Sequence, residues 1–486
     1  MRRIAFTALL GLSGCMVGPG YHQPKLALPA AYKAAPGWVM AQPADAAPKG
    51  KWWQNFQDPT LDALEAQVVV NNATLAADYY AYEQAVAVAQ EARGGLFPTL
   101  ALTGSATRQG QGGGRSSSSG STTSFGSNGP TTSGSFEGQA SWSLDIWGKI
   151  RRQVQSDVAN AQVSAANLAN ATLSAQAALA TDYVDLRTAD VNITLFQQTV
   201  LAYQQSLRIA QNQYAAGTVA QSDVITAQTQ LDGAQSSLVS EFATRANFEH
   251  AIAVLAGQAP AMLSIPQGPQ IASVPVAPPQ VPSTLLQRRP DIAAAERQMA
   301  AQNALIGVAV AAYYPDLSLS ALGGFSANPI TGLFNASNAL WSLGATGTED
   351  IFAGGTRSQA VAAAKASYLE SVETYRQTVL TAFQNVEDDL SNLQIYAAQA
   401  QVEARAVADA QRAAQIALNE YRAGTVDYTT VVTAQVTLLS DQQTALSIQQ
   451  NRLLASVALY QDLGGGFTES DLPSAGQIQS NLPFAP

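Results

Sequence analysis

Charge is scarce in this sequence. Asp, Glu, Lys and Arg make up 12% of its 486 residues, about half the share of an ordinary globular chain. Hydrophobic residues, at 47%, are not scarce. That combination implies surfaces that face protein or lipid more than water. The formal net charge of -10 excludes a nucleic-acid binder built on a basic face and a polybasic membrane anchor. Side chains that carry chemistry are also few. There are two histidines, His22 and His250, and one cysteine, with no nucleophile elbow or metal-ligand spacing around them. Gly112-Gly113-Gly114-Arg115 lacks the strand, lysine and helix of a phosphate loop. An enzyme is not expected, nor a metal or organic cofactor. Proline is missing from Ile150 to Gln258 and from Phe352 to Ser470, so neither stretch holds the residue that most often interrupts a helix.

What is there begins with the cysteine. The chain opens MRRIAFTALLGLSGC. Arg2 and Arg3 form a positive n-region, Ile4 to Leu12 a short apolar core, and Leu12-Ser13-Gly14 a small-residue approach to Cys15. The apolar core is too short to span a bilayer, so residues 1-14 read as an export signal. The last four residues resemble a bacterial lipobox, in which Cys15 becomes the lipidated first residue. Met16 stands where an aspartate would suggest inner-membrane retention, which favours the outer membrane. Loss of two arginines with the signal takes the formal charge from -10 to about -12. Residues 15-58 follow as a lipidated, extended N-terminal arm.

The rest of the chain is written twice. Tyr214 to Gln228 reads YAAGTVAQSDVITAQ, and Tyr421 to Gln435, 207 residues later, reads YRAGTVDYTTVVTAQ. The match extends outward, placing a first structural repeat at 59-258, a Pro-rich linker at 259-283, a second repeat at 284-463 and a C-terminal tail at 464-486. In each repeat a stripe of apolar residues steps by three or four, from Ile150 to Leu186 and from Val372 to Ala400. That is the amphipathic helix pattern carried far beyond an ordinary globular helix. A helix from Ile150 to Gln213 would run roughly 95 Å, and only tertiary partners can hold one so long.

Ahead of each long helix lie two alternating segments. Glu137, Gln139, Ser141, Ser143 and Asp145 oppose Gly138, Ala140, Trp142, Leu144 and Ile146. Asp316, Ser318 and Ser320 oppose Leu317, Leu319 and Ala321. Thr99, Thr103 and Ser105 oppose Leu100, Leu102 and Ala106, and Ser342, Gly344 and Thr346 oppose Trp341, Leu343 and Ala345. Polar/apolar dyads of about ten residues are the mark of outer-membrane barrel strands. Trp142, Trp147 and Trp341 are candidates for interfacial girdles. A low-complexity loop, 109-134, and a shorter one, 326-338, join the strands of each hairpin. Four strands cannot close a barrel around a lumen, and an open edge cannot face hydrocarbon. Several copies must therefore share one barrel.

With these residues in view, the chain resembles the TolC-like outer membrane factors, most of all their NodT-type lipoprotein subgroup. The resemblance runs from Cys15 to Gly466. It is carried by the lipobox with VGPGYHQP after it, WWQNFQDPTLDAL, RGGLFPTL, DIWGKIRR, both Gly-Thr-Val turns, and RRPDIAAAERQMAAQNALIGVAVAAYYPDLSL at 288-319. It implies a mixed α and β membrane fold: a homotrimer with a twelve-stranded β-barrel, continued by an α-helical periplasmic tunnel. It further implies the exit duct of a tripartite efflux pump, working with a periplasmic adaptor (membrane fusion) protein and an inner-membrane pump, usually of RND type. No nucleic acid is involved. The turns Gly217-Thr218-Val219 and Gly424-Thr425-Val426 would dock the adaptor, with Thr218 and Thr425 able to cap the helices that follow. Tyr421 and Arg422 match family positions near the periplasmic gate. Thr433 and Glu420 depart from the family pattern, so Asp427, Asp223 or Glu420 would supply the acidic gate groups, with Arg422 pairing to Asp427 or Glu420. Glu349-Asp350 also departs from the pattern, at the end of the fourth strand. The competing readings are a conduit for protein secretion and a periplasmic helical lipoprotein without a channel.

Overall fold

The structure is a computed structural model, and it describes residues 16-24, 50-110, 130-275 and 288-480. Cys15 and the signal, the middle of the arm, the centre of the first loop and part of the linker lie outside the described residues.

Two helices dominate. Lys149–Ala215 (α3) and Thr356–Arg422 (α6) each contain 67 residues, about 100 Å at 1.5 Å per residue. Each turns back into a helix of 35 residues, Gln221–Leu255 (α4) and Tyr428–Asp462 (α7). All four boundaries repeat at an offset of 207. Two 22-residue helices, Ala73–Gly94 (α2) and Pro290–Ala311 (α5), precede the strands of their repeats. Pro59–Asn71 (α1) starts where the Asp58 carboxylate accepts from the Thr60 and Leu61 amides, with Pro59 in the first turn, where its missing N–H costs nothing.

Packing sets the two repeats side by side, with α2, α3, α5 and α6 neighbours in that order and α4, α3, α7 and α6 in theirs. Val86 and Ala89 of α2 meet Val154, Val158 and Ala161 on the upper part of α3. Ala227, Leu231 and Ala234 of α4 meet Val200, Tyr203, Leu207 and Ala210 on its lower part. Ile292 and Met299 of α5 and Leu459 of α7 share a cluster with Tyr375, Val379, Ala382 and Val386 of α6. The main core lies at mid-height, where α1 and Trp52, Trp53 and Phe56 close over Leu179, Tyr183 and Leu186 of α3. The arm is therefore not extended throughout: Trp52–Phe56 form a buried 3-10 turn, because three aromatic rings within five residues leave water together. The tail is likewise anchored, by the helix Ala475–Ser480 (α8), whose Ile478 is buried against α2 and α3.

Strands Thr99–Gln109 (β1), Thr131–Leu144 (β2), Asp316–Ala327 (β3) and Ala339–Thr348 (β4) form one antiparallel sheet in the order β1-β2-β3-β4. The outer edges of β1 and β4 are unpaired among the described residues. β2 stops at Leu144, two residues before the expected end of the dyad pattern at Ile146. Asp145 instead turns its carboxylate to the Ile150 and Arg151 amides at 2.9 and 3.0 Å, where a carboxylate satisfies the free N–H groups and positive end of α3. β4 ends at Thr348, and Glu349 and Asp350 both pair with Arg357 in the first turn of α6. No described helix is long and apolar enough to cross a membrane.

Candidate functional site

Register decides what each sheet face carries. Leu100 lies opposite Ala140, Ala140 opposite Ala321, and Ala321 opposite Leu343. The row above is Leu102, Gly138, Gly323 and Trp341, and the row below holds Trp142, Leu319 and Ala345. One face is thus apolar from edge to edge, and in the single chain Leu100, Leu102, Trp341 and Leu343 are 70 to 83% exposed. The other face reads Thr99, Ser141, Ser320 and Gly344, then Ala101, Gln139, Leu322 and Ser342, then Thr103, Glu137, Gly324 and Leu340. Its charged strand residues are Glu137 and Asp316, and it holds no lysine or arginine.

Aromatic rings mark both margins of the apolar face. At the top, Phe334 sits edge-on to Phe136 and Phe325, with Trp341 one row beneath. At the helical end, Trp142 donates its Nε1–H to the Leu96 carbonyl and Trp147 to that of Pro315, while Trp147 stacks on Tyr314 at 4.7 Å. Phe136 and Trp142 are six residues apart on one strand, about 20 Å at 3.4 Å per residue. That suits the apolar band of an outer-membrane barrel, about 25 Å tall. Rings with one apolar body and one polar tip collect at such boundaries.

At the far end of the long helices are the two Gly-Thr-Val turns, built alike. Gly217 and Gly424 adopt φ of 72° and 75°. The Gly217 amide donates to Tyr214 and the Thr218 amide to Gln213; Gly424 donates to Tyr421 and Thr425 to Glu420. This is the left-handed closure that satisfies the last carbonyls of a helix. The threonine hydroxyls donate to the same Gln213 and Glu420 carbonyls at 2.9 Å. They therefore cap the helix behind them, not the one ahead as expected, because the left-handed glycine swings each threonine back over the last turn. Ala220 and Asp427 stand at the start of α4 and α7 without side-chain capping bonds. Val219 and Val426 tuck partly into the hairpin cluster.

The gate candidates separate into two groups. Tyr421 is only 2% exposed, inside the chain against Tyr428, with ring centroids 5.2 Å apart. Its hydroxyl has no partner among the described residues, and burial, with Asp223 nearby, pushes its pKa up to about 12. Arg422, Glu420 and Asp427 are exposed. The ion pair expected of Arg422 is not formed: it reaches Asn419, one helical turn back, at 3.5 Å, and makes no salt bridge with Glu420 or Asp427. On a helix Glu420 is two residues from Arg422 and points elsewhere. The two hairpins are instead tied by neutral groups that sequence reading passed over. Gln213 Nε2 donates to the Tyr421 carbonyl and Gln435 Nε2 to Ser206 Oγ, each at 3.0 Å. Gln435 closes the Thr-Ala-Gln word shared by both repeats, which was the one available signal.

A family model described as "Outer membrane efflux protein" matches residues 64-258 and 281-465. The chain belongs to that family. The "Probable efflux pump outer membrane protein TtgC" of Pseudomonas putida is 30% identical over 486 residues, 99% of this chain and 98% of the relative. "Nodulation protein T" of Rhizobium leguminosarum bv. trifolii is 30% identical over 437 residues, 86% and 87% of the two chains. Among solved structures, the outer-membrane channel OprN superposes with a TM-score of 0.80 at 28% identity, covering 93% of this chain and 99% of that one. The channel CusC gives 0.82 at 25%, covering 93% and 100%. As an outer membrane efflux protein, the chain is one third of a trimeric outer-membrane exit duct with a periplasmic helical extension. It works with an adaptor and an inner-membrane transporter. Three four-stranded sheets joined at the free edges of β1 and β4 close the barrel, with the apolar face to lipid and the serine- and threonine-rich face to the lumen.

Proposed function

We propose that this duct carries drugs or other small molecules passed to it by an adaptor and an inner-membrane transporter of RND type. Both Gly-Thr-Val turns are the docking points, the helical tip is the gate, and Cys15 carries a covalent lipid. The observation that carries this reading is the equivalence of the two turns. Their hydrogen bonds match atom for atom, and a Cβ built on Gly217 or Gly424 meets nothing within 4 Å. Three chains thus offer six similar, open turns to a ring of adaptor hairpins. Choice of cargo rests with the transporter: relatives carry toluene, antibiotics, pyoverdine and cations in their names. At the gate, Tyr421 in the shared apolar cluster and the Gln213 and Gln435 bonds hold the hairpins of one chain together, with Asp223 near the buried tyrosine. Exposed Arg422, Glu420 and Asp427 face whatever surrounds the tip.

Asparagine tolerates the left-handed region, so Gly217→Asn and Gly424→Asn keep the turn and add a side chain where the adaptor would sit. Purified trimers of the double variant are expected to insert in planar bilayers with wild-type conductance but to lose adaptor cross-linking at the tip and efflux in cells. Retained cross-linking with full efflux would remove the turns from the docking surface. Absence of single-channel conductance both in wild-type trimers and in trimers whose tip is loosened by Gln213→Ala and Gln435→Ala would count against a gated duct.

A further inference from the structure

The stretch just after the lipid site is seated with unusual care. The Val17 amide donates to the Trp147 carbonyl at 3.1 Å. Arg152 of α3 is 6% exposed, and its Nε and Nη2 donate to the carbonyls of Val17 and Gly18 at 3.0 and 3.1 Å. Its Nη1 donates to Gln155. Further along, Asn303 of α5, 4% exposed, donates to the Pro19 carbonyl at 3.2 Å, and the Tyr21 hydroxyl donates to the Glu296 carboxylate. Backbones meet closely here. Gly18 has φ of 93°, and a Cβ on it would fall 2.5 Å from the Gly307 Cα; a Cβ on Gly307 would fall 2.7 Å from Arg152 Nε.

A buried guanidinium is costly unless it is paired. Among the described residues Arg152 forms no salt bridge, and two of its three donating nitrogens are committed to successive carbonyls of one short segment. A planar fork on two consecutive carbonyls fixes the register of that segment, since a slip of one residue would move it about 3.3 Å. The seat also adjoins Trp147, whose ring stands in the lower aromatic girdle. The girdle and the seat thus meet at Trp147, on one level of the molecule.

We propose that Arg152 is a positioning residue for the lipid anchor. With Gly18 and Gly307 it holds residues 17 and 18 in one register beside Trp147. Residue 15 is then two peptide units from Val17, at most about 7 Å along the chain, and its acyl chains enter the membrane at the foot of the barrel. This rests on the reading that Cys15 is lipidated.

The test uses full-length protein made with its own signal and purified as trimers. Mass spectrometry of the N-terminal peptide reads lipidation, and hydrogen exchange over residues 16-24 reads the seat. Gly18→Ala lies on the strap itself and leaves the wall intact. It is expected to keep the lipid mass and the trimer while exchange in residues 16-24 rises at least tenfold. Arg152→Ala should do the same, and Arg152→Lys should restore only part of the protection, because an ammonium cannot fork onto two carbonyls. Unchanged exchange in both Gly18→Ala and Arg152→Ala overturns the seat. A wild-type peptide without the lipid mass overturns the Cys15 reading, and the protection difference then decides the seat alone.

Discussion

Leu343 and Ser342 are neighbours in β4, yet the register sends them to opposite worlds. Leu343 closes a row with Ala321, Ala140 and Leu100 and is 77% exposed in the single chain. That row is one step above Trp142 and two below Phe136, within the middle of the apolar band. An arginine there costs about 2–4 kcal/mol near the bilayer midplane. A trimer carries three copies, so Leu343→Arg is expected to cost about 6–12 kcal/mol per barrel, enough to abolish assembly at ordinary stabilities. Ser342 pairs toward Leu322 and Gln139 on the luminal face, and an arginine there stays in water. Ser342→Arg should assemble normally and move ion selectivity toward anions. Heat-modifiable electrophoresis of outer-membrane fractions reads trimer yield, and bilayer reversal potentials read selectivity. Equal yields for the two variants, or a worse yield for Ser342→Arg, would refute both the register and the assignment of faces.

The same luminal face carries Glu137 and Asp316 without a basic strand residue, so Glu137→Gln should weaken cation preference measured as a reversal potential. Asp316 is partly offset by Lys149 at 3.7 Å, and Asp316→Asn should change the preference less. Glu65 of α1 is fully buried, neither carboxylate oxygen has a hydrogen-bond partner among the described residues, and burial followed by Asp62 pushes its pKa from 4.5 to about 9. The folded chain then holds one more proton than the unfolded chain between those values, so stability falls as pH rises through that interval. Glu65→Gln should raise stability by about 3 kcal/mol at pH 7, less at pH 5, and flatten the slope; denaturant midpoints of detergent-solubilised trimers across pH 5 to 9 check it. Asp190, with a side chain 1% exposed, takes hydrogen bonds from Arg187, Arg245 and the Gly268 amide. Asp190→Asn should cost about 3–5 kcal/mol and open residues 265-268 to protease, read by limited proteolysis.

Local patterning made much of the fold legible. The apolar stripes needed only a period near 3.6, the dyads a period of 2, and the turns a glycine with its threonine, so helices, strands and the twofold repeat followed from neighbours along the chain. The need for sister subunits followed as well, because four strands leave unpaired edges. The gate was less legible. The resemblance puts Tyr421 near the gate, but the chain buries it against a tyrosine seven positions later, and Gln213 reaches its carbonyl from 208 residues away.

What waited for the tertiary structure was every fact that joins distant segments. Alternation sets Glu137 and Asp316 opposite the apolar residues of their own strands, but only the pairing of β2 with β3 across the two repeats joins the two polar sets into one face. The same holds for the Asp190 cluster, which has no counterpart in the second repeat because Ala397 stands at the corresponding place, and for Arg152, whose partners lie 134 and 135 residues upstream. Periodicity is a property of short windows of chain. Burial, pairing and the neutral or charged character of a contact are properties of the space into which those windows are packed.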